Sequence, residues 1–125
     1  MVSNDRKPDK LMLLVPVGGY PQPIMVSNIN ETLQCEMFAC AFDEKWSEDV
    51  EVVLYVNDAG KIDGSVPNRA IRRENCQLLD VIFGDFLIAA VDRKTASTID
   101  LPADAVRFYQ QKYSEVKVNW EQRPQ

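Results

Sequence analysis

Two apolar runs, Cys76 to Phe83 and Phe86 to Val91, are separated only by Gly84-Asp85. This is the most apolar stretch of the sequence, and it constrains the fold more than any other. Short apolar runs bounded by a glycine fit buried strands, so the segment predicts strand, bend, strand, with Gly84 at the bend. Val50 to Val56 (VEVVLYV) is β-branched and aromatic and predicts a central strand. Leu11 to Val17 is a third apolar run, closed by Gly18-Gly19. Pro16 lacks a donor N–H, so this strand lies at an edge or ends there. The two glycines allow a tight turn, and Pro23 to Ser27 returns as an antiparallel strand.

The rest of the chain fills in around these strands. Asn28 precedes Glu31 by three, the spacing of a helix N-cap with its box. Ile29, Leu33, Met37, Cys40 and Ala41 then share one helical stripe, which predicts a helix over about 29–42. The acidic stretch Asp43 to Asp49 reads as a solvated connection, with Trp46 folded back onto the core. Asn57, Asp58 and Gly60 form a turn, with Gly60 in the left-handed position, and Lys61 and Ile62 start a return strand. Residues 63–68 read as a loop and 68–73 as a short irregular or helical piece. Asp100 is placed to cap a last helix with Pro102 in its first turn, apolar at Leu101, Ala105, Phe108 and Tyr109. Residues 1–10 read as a flexible start and 114–125 as a polar tail, leaving one α+β domain over 11–113. The expected fold is a twisted, mainly antiparallel sheet of five or six strands with two helices packed on it.

Several functions are disfavoured by composition. Of 125 residues, 46% are hydrophobic and 26% charged, too apolar for a disordered chain. No apolar run approaches the ~18 residues of a membrane span, and no signal peptide is visible. A cytoplasmic location follows as an expectation. There is no His, hence no imidazole base or metal ligand. Cys35, Cys40 and Cys76 contain no CxxC, and on a helix Cys35 and Cys40 lie about 140° apart, so no disulfide framework, metal or cofactor is expected. The net charge of −5 disfavours broad nucleic-acid binding.

Four groups of residues remain as candidates. The Gly18-Gly19 turn lacks the spacings of known phosphate loops and reads as a hairpin turn. Asp58, Gly60 and Asp63 lack the alternating oxygens of a calcium loop. The carboxylates between Asp43 and Glu51 have no evident burial to split their pKa values. Pro67-Asn68-Arg69 offers a planar amide beside a guanidinium fork, a pair suited to a carboxylate, a phosphate or a base edge. Arg72, Arg73 and Lys61 are placed to reinforce it. The alternative is structural: Asn68 caps a short helix and Arg69 pairs with Asp58, Asp63 or Asp85.

The pattern VPVGG, then Val56-Asn57-Asp58-Ala59-Gly60-Lys61, then Pro67-Asn68-Arg69, then Gly84-Asp85, resembles a domain-of-unknown-function family of small proteins from bacteriophages, plasmids and other mobile elements. The resemblance covers about 11–113 and implies a genomic setting rather than a reaction. The expected function is non-catalytic: a protein of a phage or mobile element that binds a host protein or a small anionic, nucleotide-like ligand, and so counters bacterial defence by engaging an immune protein or sequestering a nucleotide signal; no membrane partner is expected, and a homo-oligomer is compatible with this. A small phosphoester- or nucleotide-cleaving enzyme and a nucleic-acid accessory module are the alternatives.

Overall fold

A computed structural model describes residues 9–60, 65–72 and 78–115. Ten elements follow in order: β1 (Lys10–Val15), β2 (Gln22–Val26), α1 (Ile29–Leu33), β3 (Phe38–Lys45), β4 (Val50–Asn57), β5 (Pro67–Arg72), β6 (Leu78–Phe83), β7 (Phe86–Asp92), β8 (Thr98–Ile99) and α2 (Ala103–Lys112). The main sheet runs β2-β1-β7-β4-β3, and β5 and β6 form a second, two-stranded sheet. Every pairing is antiparallel. The α+β expectation therefore holds.

β7 is the centre. β1 pairs with its Phe86–Ile88 segment and β8 with Ala90 and Val91, while β4 runs along its other side. Phe86 to Ala90 are buried without a break, because both faces of the sheet are covered. On one face Leu13, Val15, Val52, Leu54, Phe86 and Ile88 pack under α2 and under Ile71 and Ile82 of the small sheet. On the other, Met12, Val26, Val53, Leu87 and Ala89 pack with Leu33 of α1. That two-sided burial is why the run read so apolar. The bend at Gly84 is present, at φ +80. However, β6 and β7 do not pair with each other; the bend sends them into different sheets.

The largest departure from expectation is the first helix. It stops at Leu33, with Gln34 in the left-handed region (φ 54, ψ 49). The predicted cap is present: Asn28 Oδ1 accepts from the Glu31 N–H at 2.9 Å. Beyond it the chain becomes β3, paired with β4 over its whole length. Helical spacing of Met37, Cys40 and Ala41 competes with this long-range pairing and loses. A bulge between Cys40 and Phe42 shifts the register. One extra residue reverses which face the following side chains occupy. Phe38 therefore packs in the α1-side cluster, and Phe42 against the α2-side cluster. Asp43 and Glu44 belong to β3 rather than to a connection. Trp46 does fold back, packing against the rings of Phe108 and Tyr109.

Three smaller corrections concern ends and turns. Asp100 does not cap α2; its Oδ1 accepts from the Leu11 N–H at 2.8 Å and ties the segment to β1. Phe108 is half exposed, while Leu101, Ala105, Tyr109 and Tyr113 are buried. Gly60 is not left-handed. Its constraint is space, since a Cβ there would stand 3.0 Å from the Phe83 carbonyl oxygen.

These two glycines should respond differently to alanine. At Gly84 the space is adequate but the positive φ is not, so Gly84→Ala should cost about 1–2 kcal/mol. At Gly60 the backbone must shift, and Gly60→Ala should lower stability further in urea unfolding. Equal midpoints for both variants and the parent would contradict this account.

Candidate functional site

Three of the sequence motifs meet at one end of the main sheet, where β1 turns into β2, β5 begins and β6 bends into β7. Pro67 opens β5, so the segment is a strand rather than a loop or a helical piece. Asn68 is 1% exposed and Arg69 3%. Asn68 Nδ2 donates to the carbonyl oxygens of Val15 and Gly84, each at 2.9 Å. Arg69 Nη2 donates to the Gly19 carbonyl at 2.6 Å and to the Tyr113 carbonyl at 3.0 Å, and Nε donates to the same Tyr113 oxygen at 3.1 Å. Nη1 donates to Asn68 Oδ1 at 2.6 Å. Asp85 completes the junction: its Oδ1 accepts from the Val17 N–H at 2.8 Å. Gly84 N–H donates to the Val66 carbonyl at 2.8 Å.

The pair Asn68-Arg69 therefore links four backbone segments. The acceptors of the guanidinium are carbonyl oxygens, not the carboxylates of Asp58 or Asp85. Burial lowers the pKa of Arg69 from its ordinary value, opposed by Tyr113. A buried cation is tolerated where its donors are satisfied. One of its targets is the end of α2, where exposed carbonyls carry the negative end of the helix dipole.

Beside this junction lies a group that sequence reasoning does not single out. Tyr109 donates its hydroxyl to Glu44 of β3. Tyr109 and Tyr113 are one helical turn apart, stacked with ring centroids 6.4 Å apart, and both buried. Burial is the main cause raising both phenol pKa values above the ordinary range, with Glu44 reinforcing it. The i, i+4 spacing of the tyrosines was visible in the sequence. The bulge that turns Glu44 toward them was not.

The other candidates are dispersed. Gly18 (φ +71) opens into free space at the tip of the β1–β2 turn. Asn57 closes its own turn, accepting from the Ala59 N–H at 2.9 Å, and Asp58 is exposed beside it. Arg72 is exposed at the end of β5. Lys61, Arg73, Asp63 and Cys76 lie outside the described residues. Cys40 is exposed on β3 and Cys35 half-buried after α1, so neither is on a helix. Among the described residues no group of His, Cys, Asp or Glu is arranged to hold a metal ion. No helix among them is long and apolar enough to cross a membrane. The large apolar side chains that the junction leaves exposed are Val17 (39%), Tyr20 (51%) and Val66 (53%), beside the exposed carboxylate of Asp85.

Two outcomes are expected. Arg69→Ala strands buried carbonyls and should cost about 3 kcal/mol or more, at the level of two lost charge-assisted bonds. Arg69→Lys should recover only part of that, since an ammonium cannot span the same acceptors. Chemical denaturation of both variants measures it, and a neutral Arg69→Ala would refute the structural role. The tyrosines predict an alkaline limit. Their folded pKa values lie above the unfolded value of about 10, so their contribution is complete below about pH 10 and lost as pH rises beyond it. Thermal melts from pH 8 to 11 should fall at the upper end, and Tyr109→Phe should flatten that fall.

Residues 10–114 match the family model described as Domain of unknown function (DUF3846). No curated protein and no solved structure shows significant similarity to the chain. With the match extending from β1 to just past α2, the chain belongs to the DUF3846 family.

Proposed function

We propose that this chain is a non-catalytic binding protein whose partner is another protein, engaged through the apolar end formed by Val17, Tyr20 and Val66. One observation carries the proposal. Asn68 and Arg69 turn their polar groups inward onto backbone carbonyls and each other, while Val17, Tyr20 and Val66 stand exposed at the same end. Rigid backbone beneath exposed apolar and aromatic side chains is what a protein interface uses, because little ordering entropy is spent on binding. Capture of an anion by Arg69 is the weaker version, since its donors already have acceptors. The family resemblance adds the setting: a protein of a phage or mobile element, acting in the host cytoplasm on a host protein, with a component of bacterial defence as the analogy-based choice.

The test is photo-crosslinking in a bacterial host. A benzophenone amino acid at Tyr20 or Val66 should trap one discrete host protein, and the same group at Glu31 of α1 should not. Tyr20→Ser combined with Val66→Ser should cut recovery at least tenfold with an unchanged melting temperature. Equal recovery from the double variant, or a small molecule retained in native mass spectrometry in place of a protein, would overturn the proposal.

A further inference from the structure

Of the motif residues gathered at this end, Asp85 keeps its carboxylate at the surface. Its Oδ1 accepts from the Val17 N–H at 2.8 Å, and among the described residues it has no other hydrogen bond and no ion pair. An ionised carboxylate has about four acceptor sites, so most of its capacity is left open. The residue is also held in place. Gly84, just before it, donates its N–H to the Val66 carbonyl at 2.8 Å and accepts from Asn68 Nδ2 at 2.9 Å. Phe86, just after it, is fully buried in β7. With the backbone anchored on both sides and Oδ1 tied to Val17, the side chain has little freedom left to lose on binding.

The surroundings decide what can pair with it. Val17 lies across one of these hydrogen bonds and Val66 across another, and both are exposed. Tyr20 stands exposed three residues past Val17. A cation that reaches Asp85 therefore gives up water to apolar side chains beside it. A guanidinium is more weakly hydrated than an ammonium, offers two parallel N–H groups to a carboxylate and stays charged. The net charge of −5 favours the approach of such a cation. The guanidinium already at this end, Arg69, does not serve: it is 3% exposed and its donors hold carbonyl oxygens.

We infer that the partner's contact segment at this end carries an arginine flanked by apolar side chains, and that Asp85 is the specificity-determining contact for it. The guanidinium forks onto Asp85 while the flanking side chains cover Val17, Tyr20 and Val66. Apolar contact supplies the area, and the carboxylate selects among partners of similar shape. This rests on the reading of the same end as a protein interface.

The probe is a random library of twelve-residue peptides displayed on phage and panned against the full chain. Enriched peptides should place an arginine within two positions of an aromatic or aliphatic residue, and their binding should shift the amide NMR signals of Val17, Gly18 and Asp85. Replacing that arginine by citrulline keeps the shape and removes the charge, and should weaken binding to the parent chain at least fivefold. In Asp85→Asn the side-chain oxygen still accepts from the Val17 N–H. That variant should bind the arginine peptide at least fivefold more weakly and should no longer distinguish it from the citrulline form, a coupling that a double-mutant cycle reads directly. If Asp85→Asn does not fold, judged by its melting temperature, the citrulline comparison on the parent chain decides alone. Peptides that need Tyr20 and Val66 yet carry no excess of arginine, or whose citrulline forms bind equally well, overturn the inference and leave the interface standing. Undiminished binding of the arginine peptide to folded Asp85→Asn does the same. Peptides indifferent to Tyr20→Ser combined with Val66→Ser, or no enriched peptide at all, overturn the interface itself and this inference with it.

Discussion

The buried guanidinium of Arg69 is the interaction on which one end of this molecule depends. Its donors reach the turn after β1, the side chain of the residue before it and the end of α2. A cation moved out of water is costly to leave unsatisfied, so the backbone around it has little freedom to differ. Asn68 extends the same logic to Val15 and Gly84. The glycines and the Asn-Arg pair are thus one structural unit, although they lie far apart in the sequence. The chemistry that makes Arg69 look like a ligand-binding residue in isolation is here spent on the protein's own carbonyls.

This division of labour shapes the functional proposal. Polar groups are used to fix the backbone, and apolar side chains are left to face outward. An interface built this way gains shape and rigidity rather than charge.

Much of the strand content was legible because burial on both faces writes itself as continuous apolar runs. β7, β4 and the β1–β2 hairpin are of this kind. β3 was not legible. Phe38 to Lys45 contains alanine, cysteine and acidic residues with no strong strand preference, and its state is decided by β4. The Asn28 cap was local and could be seen, whereas the end of its helix depended on Gln34 adopting a left-handed backbone. For the site, residue types singled out Asn68 and Arg69 as candidate ligand- or partner-binding residues, and the structure brings the two side chains together. Whether their donors face a ligand or a carbonyl depends on what the fold brings near them. Sequence spacing carries no information on that: of the acidic partners considered for Arg69, Asp58 and Asp85 are not its acceptors, and Asp63 lies outside the described residues.

The central position of β7 has a consequence for how the chain becomes folded. Its neighbours β1 and β4 are both made before it, and Leu14 opposes Leu87 across most of the chain's length. The hairpins β1–β2 and β3–β4 can form early, but each then waits with one long edge unpaired. The main sheet closes only when the strand that joins them arrives. Pairing over such separations is slow, because loop closure is costly before it is rewarded. The nascent protein therefore passes through a stage with two sticky edges, and its yield in the cell should depend on how briefly it stays there.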